Sequence, residues 1–175
     1  NSLDYATDYP WDMDKRTITD DELVRRDSWQ SKFMPSGAFV AGRVDNTHWL
    51  SFGTPDILPI LYSKQPVLMT SNSAEAIIRI GSIEPNNGSE IKQLNWSTIP
   101  ANHDIKVRMS GLVWPEASER IANSAYLTRE QIGNGQLILF SGQPNFRGST
   151  RGTSRLWLNA VVYGAGLGTT PRINL

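Results

Sequence analysis

Few side chains in this sequence have types and spacing that point to chemistry. A catalytic zinc ion needs imidazoles and a carboxylate converging on it, normally with two ligands on one local element. The two histidines, His48 and His103, are followed by "WLS" and "DIK", so neither opens an H-x-x-E pair. The chain has no cysteine, which removes disulfides, thiolate nucleophiles and cysteine-ligated zinc together. No G-x-S-x-G elbow presents a serine. The glycine-rich "GQPNFRG" is neither a G-x-x-x-x-G-K-[ST] phosphate cradle nor a G-x-G-x-x-G fingerprint. Carboxylates are plentiful, but a pairing of two of them in space cannot be read from one sequence. No catalytic residue, metal ligand or cofactor contact is expected in this chain.

Two polar clusters are left as candidate sites. In "GQPNFRGSTRGTSR", Asn145, Arg147, Arg151 and Arg155 gather around a predicted helix start. Unpaired N–H groups and a partial positive charge at that start, joined by Arg147 and Arg151, would hold an anion or a carboxylate. The competing reading has the arginines bonded to the protein's own carboxylates or carbonyls, pinning the loop. It is favoured, because no fingerprint supports a ligand. In "VDNTHWLSFG", Asp45, Asn46 and His48 could form a polar site, yet Asp-Asn-Thr is also what a strand-end turn uses for side-chain to backbone bonds. Turn chemistry is the favoured reading there too, and a lone His is more often simply satisfied. The "NGS" and "NWS" triplets at 87–89 and 95–97 are read as chance matches to the glycosylation pattern.

The elements that must position these groups follow from periodicity and turn chemistry. "TDDELVRRDSWQSKF" predicts a short helix with Thr19 or Asp20 as cap and acids in its first turn. "GAFVAGRVD", "EAIIRIG", "IKVRMSGLVW" and "SAYLTREQI" read as strands, and "ILPILYSK" and "QPVLMTS" as short strands whose prolines suit sheet edges or loops. "GNG" makes a hairpin between "SAYLTREQI" and "QLILFSG". The non-alternating "LILF" predicts a central strand covered on both faces. Residues 84–104 are expected to be a surface loop or an extended excursion. From Thr153 or Ser154 a helix is expected, hydroxyl-capped and closed by Gly164. Arg155 and Asn159 share one of its sides; Leu156, Trp157, Val161 and Tyr163 cover much of the rest and make it largely buried.

Composition sets the frame. A chain of 175 residues suits one domain whose core needs no metal or staple. Lys plus Arg equal Asp plus Glu at 17 each, so net charge draws in neither nucleic acid nor an anionic membrane. No apolar run approaches a membrane span, and membrane insertion is not expected. The start, with neither Met nor a signal-like segment, suggests a piece of a longer protein.

Three segments, "PSGAFVAGRVDNTHWLSFGTPDILPILY", "SGLVWPEASERIANSAYLTREQIGNGQLILFSGQPNFRG" and "TSRLWLNAVVYG", resemble the C-terminal region of bacterial zinc carboxypeptidase-like proteins of the carboxypeptidase A type, in order and spacing. The resemblance spans about residues 35 to 166. It implies an upstream catalytic peptidase domain followed by a domain similar to a class I glutamine amidotransferase, an α/β three-layer fold of flavodoxin-like type. The zinc ligands and catalytic glutamate would lie upstream, so zinc is expected in the parent's peptidase domain and none here. The amidotransferase cysteine has no counterpart, which implies a catalytically dead domain.

The usual first strands and helix of such a domain have no counterpart either. The expected fold is therefore α/β to α+β: a β-rich mixed sheet with few helices and a buried C-terminal helix, the second half of a flavodoxin-like domain. Residues 1–34 form an irregular and helical lead-in, and 35–175 one compact C-terminal domain. The implied role is noncatalytic, packing against the upstream peptidase domain or another subunit, and any of Trp157, Leu158, Val161 and Val162 left exposed would mark that interface. The alternatives are a module that binds an anion, carboxylate or glycan and presents substrate to the upstream enzyme, and an independent hydrolase using two converging carboxylates.

Overall fold

The computed structural model describes residues 19–70, 73–89, 92–94 and 97–167. Helix α1 (Asp20–Gln30) begins where the sequence predicts. The Thr19 hydroxyl accepts the Glu22 N–H at 3.4 Å while Glu22 Oε2 accepts the Thr19 N–H at 2.9 Å, a reciprocal capping box. Asp20, Asp21 and Glu22 sit in the first turn, where they offset the positive end of the helix dipole. The lead-in helix docks on the main body. Arg120 on helix α2 (Pro115–Ile121) forks onto Asp27 at 2.8 and 3.1 Å, and Arg26 reaches Glu119 at 3.0 Å. Helix α2 was not expected from sequence; Pro115 at its first position and Glu116 in its first turn are the local signals that specify it.

Ten strands follow in chain order: β1 (Ser36–Val44), β2 (Ile57–Ser63), β3 (Ala74–Ile80), β4 (Ser82–Pro85), β5 (Lys92–Leu94), β6 (Ser97–Ile99), β7 (His103–Lys106), β8 (Arg108–Ser110), β9 (Ala125–Ile132) and β10 (Gly135–Phe140). The main sheet has six strands in the order β10-β9-β3-β1-β2, with β8 also pairing to β1. Its pairings are antiparallel, so the mixed sheet expected from sequence is not what forms. The class is α+β, β-rich with three α-helices among the described residues. The stretch expected as a surface loop or an extended excursion at 84–104 contributes to two small antiparallel pairs, β4 with β7 and β5 with β6. Its polar sequence hides them because strands of three or four residues are too short to show alternation.

Strand β2 lies at one edge, which accommodates Pro59 as the sequence suggests. At the other edge lies β10, and this overturns the reading of "LILF" as a buried central strand. Its apolar residues do not all face inward: Ile138 and Phe140 pack on the core while Leu137 and Leu139 are exposed. The true centre is β9-β3-β1, where Val40, Ile77, Ile78, Ile80 and Leu127 are at most 1% exposed. Two glycines permit close approach there. At Gly42 an added Cβ would collide with Ile60 Cδ1, inside the core. Gly81, at φ +100°, turns the chain from β3 into β4 beneath Ile105.

Helix α3 (Arg151–Tyr163) starts two residues earlier than the sequence suggests and ends at Gly164 as expected. Its N-cap, Thr150, makes no side-chain bond to the helix backbone. Gly152 meets β2: a Cβ there would collide with Leu58 Cδ2, so glycine lets the first turn seat on the strand. The helix is not buried as expected. Thr153, Leu156 and Asn159 face inward, whereas Trp157, Leu158, Val161 and Val162 are 43%, 44%, 59% and 58% exposed. One side of the helix seats on β2 and the Trp49–Ser51 turn through Gly152 and Asn159, and a helix lying on one layer keeps its other side outward.

Candidate functional site

The loop into α3 is shaped by a left-handed residue. Arg147 adopts φ 50°, ψ 20° in a short 3-10 turn, Phe146–Gly148, and its guanidinium carbon lies 5.2 Å from the Phe146 ring centre. Asn145, which precedes that turn, is exposed and accepts the Gly148 N–H at 3.2 Å through its carbonyl. The Thr153 hydroxyl ties the helix to the loop by donating to Pro144 O at 2.6 Å. Arg151 is exposed at the first helical position, and its side chain has no hydrogen bond or ion pair with any described residue. Arg155 points elsewhere: its Nε donates to Phe52 O at 3.3 Å. Asn159, one turn on and buried, donates to Leu50 O and Phe52 O at 2.9 Å each, so the shared side read from sequence is real.

The pinning role thus belongs to Arg155 and Asn159, which lock α3 onto the 3-10 turn Trp49–Ser51 through backbone carbonyls. Arg147 and Arg151 have no carboxylate within ion-pair distance among the described residues.

The opposite end of that same turn holds the second predicted cluster. Asp45 Oδ1 accepts the Thr47 N–H at 3.0 Å and the Thr47 hydroxyl at 2.6 Å, an Asx-turn of the type the sequence suggests. These two bonds, the hydroxyl's first, hold the Asp45 carboxyl below its ordinary pKa. Asn46 bonds Asp56, and the Ser51 hydroxyl lies 2.6 Å from Asp45 O and from His48 O. His48 caps the 3-10 turn: its Nδ1 accepts the Leu50 N–H at 3.1 Å. That bond places the neutral ring's proton on Nε2, which faces Glu75 Oε2 at 3.4 Å.

Burial lowers the His48 pKa, and Arg129 adds to this against the opposing pull of Glu75 and Asp45. At neutral pH the Glu75 contact is therefore an imidazole N–H donating to a carboxylate rather than an ion pair. Glu75 and Arg129, registered partners on β3 and β9 joined at 3.4 Å, were not among the sequence candidates. They reach His48 only through strand pairing.

This arrangement positions a turn and supplies no visible nucleophile. The Ser51 and Thr47 hydroxyls are bonded to backbone carbonyls and to Asp45, not to the imidazole. His103 lies on β7 with its Nδ1 3.0 Å from Ala101 O. Among the described residues no group of three His, Cys, Asp or Glu side chains is gathered to hold a metal ion, and no helix is long and apolar enough to cross a membrane.

What the molecule does present is apolar surface. Trp157, Leu158, Val161 and Val162 form the outer side of α3, and no charged residue follows Arg155 in that helix. Gln136 on β10 fastens the end of α3 by donating to Gly164 O at 2.6 Å. Leu137 and Leu139 are exposed too, but strand alternation points them to the sheet face opposite Gln136, away from α3. A separate shallow groove of about 270 Å³ lies between Met34, Pro35, Leu112 and Trp114. No protein-family model, curated protein or solved structure matches the chain.

Proposed function

We propose that this chain is a noncatalytic accessory domain that docks through the outer face of α3 onto a neighbouring peptidase domain or another subunit. The observation that carries the reading is the uncharged, half-exposed row Trp157, Leu158, Val161 and Val162. Covering the exposed half of such side chains is worth about 1 kcal/mol each, whereas leaving them in water favours association of whatever kind is available. The three collinear sequence segments support a zinc carboxypeptidase-like parent in which the peptidase chemistry, and the zinc, belong upstream. Descent from the second half of an amidotransferase-like domain is part of this reading. It rests on those segments alone, since flavodoxin-like sheets are parallel and this one is antiparallel.

The experiment pairs a zinc-supplemented peptide-cleavage assay on this chain with docking measured in the parent polypeptide. The chain by itself is expected to cleave nothing. In the parent, Val161→Lys is expected to raise hydrogen exchange along α3 while leaving β1 and β3 protected. Zinc-dependent cleavage by this chain, or unchanged exchange in the variant, would sink the proposal.

A second reading is favoured by one observation: the first N–H groups of α3 carry no side-chain cap, and Arg151 stands beside them without a partner among the described residues. An anion- or glycan-binding module presenting substrate to the enzyme would use that end. Arg151→Gln would then abolish binding of an acidic ligand and leave the melting temperature unchanged.

A further inference from the structure

Strands β1 and β3 place two arginines opposite each other, for Arg43 and Arg79 are registered partners. Like charges in that relation repel and are normally relieved by an intervening acid. The other partly buried arginines have one: Arg26 meets Glu119, Arg120 meets Asp27, and Arg129 meets Glu75. Arg43 and Arg79 do not. Their hydrogen bonds go to neutral acceptors, Arg43 to Gly81 O at 3.2 Å and Asn123 Oδ1 at 2.9 Å, Arg79 to Asn123 O at 3.1 Å and Thr70 Oγ1 at 3.1 Å. No carboxylate of a described residue lies within ion-pair distance of either.

Asn123 makes the juxtaposition possible. It sits at φ 60°, a conformation that few side chains other than glycine tolerate, between α2 and β9. In that conformation its carbonyl oxygen receives one guanidinium and its side-chain oxygen the other, while its own N–H is held by Ile80 O at 2.8 Å. Each terminal nitrogen of the pair still has a second N–H to give, and neither Nε is buried without a partner, so donors of both side chains reach solvent. Burial, and then the neighbouring Arg79 charge, pull the Arg43 pKa below its ordinary value. An arriving negative charge would offset both the repulsion and the cost of desolvation.

We infer that the Arg43–Arg79 pair is a binding site for an oxyanion, a carboxylate or phosphate group of a small ligand, which bridges the two guanidiniums. Opposed like charges and forked planar donors without an acid are what an oxyanion can bridge. The site stands apart from α3 and does not depend on the docking role proposed for that helix.

The test titrates the whole chain with inorganic phosphate and, separately, with succinate, against sodium chloride of matched ionic strength. It follows the arginine Nε–H resonances and the melting temperature. Saturable movement of the Arg43 and Arg79 resonances is expected with at least one probe. Phosphate alone would assign a phosphate ligand, succinate alone a carboxylate, and both an unselective oxyanion site. Arg79→Gln should weaken the response at least tenfold, Arg79→Lys should restore part of it, and Arg151→Gln should leave it intact. Resonances that fail to move in the wild-type chain, or that follow chloride equally, overturn the inference even if Arg79→Gln does not fold. So does a folded Arg79→Gln chain that titrates like wild type.

Discussion

His48 shows how one imidazole can be committed to structure. Protonating it requires a hydrogen on Nδ1, the atom that accepts the Leu50 N–H, so the cap of the 3-10 turn is lost when the ring becomes charged. Burial and the Arg129 charge push in the same direction, with Glu75 and Asp45 opposing. The folded pKa therefore lies below the ordinary 6.5, and the unfolded chain binds the proton first as pH falls. The His48 contribution is complete above pH 6.5 and is lost progressively below it. Urea midpoints measured from pH 7.5 to 5.5 should fall more steeply for the wild-type chain than for His48→Asn, which keeps a capping acceptor and does not titrate. His48→Ala should cost about 1 kcal/mol at pH 7.5, the usual worth of a cap. Parallel pH profiles for wild type and His48→Asn would show that the imidazole is not the titrating group. The Asp45 turn was legible in sequence because its bonds span two residues. The Glu75 and Arg129 neighbours were not, because only the β3–β9 register brings them near.

Elements reveal what periodicity can and cannot say. Strands β1, β3 and β9 announce themselves through β-branched and alternating residues, and α1 through its capping box. Strand β10 misleads, since an unbroken apolar run describes a two-sided burial that its edge position denies it. Which strand ends a sheet is set by all the other pairings and has no local signature. The Gly133–Asn134 turn and the Ser141 N–H to Tyr126 O bond at 2.9 Å fix the phase of the β9–β10 ladder. Gly135, Leu137 and Leu139 turn their backbone groups to β9. Gln136, Ile138 and Phe140 turn theirs outward, without a backbone partner among the described residues. An uncharged open edge of this kind invites strand addition. Leu139→Lys should leave the melting temperature within about 0.5 kcal/mol of wild type, since the side chain is exposed, while slowing aggregation at high concentration. The pivot at Gly81 behaves oppositely. With φ +100° and Ile105 carbons 2.5 and 2.6 Å from where an added Cβ would stand, Gly81→Ala should cost about 2 kcal/mol or more, read from urea unfolding.

At the scale of the whole molecule, charge and apolar surface act together. The chain carries no net charge at pH 7 and has a pI near 6.9, so no long-range repulsion keeps copies or partners apart. The outer face of α3 is then governed by the hydrophobic effect, which salting-out ions strengthen and which screening does not weaken. Association of the isolated chain should accordingly rise with ammonium sulfate and with warming from 5 to 25 °C, as followed by light scattering. Trp157→Lys combined with Val161→Lys should suppress it at least tenfold. These positions are half exposed, so the melting temperature should move by no more than about 0.5 kcal/mol worth of stability per substitution. An electrostatic surface would give the reverse pattern, strongest at low salt and indifferent to both lysines. Loss of stability in the double variant would mean that these side chains are buried within the chain itself. Leu156 and Asn159 hold α3 from within, Asn159 through the Leu50 and Phe52 carbonyls at the Trp49–Ser51 turn, so substitutions in the outer row leave that attachment in place.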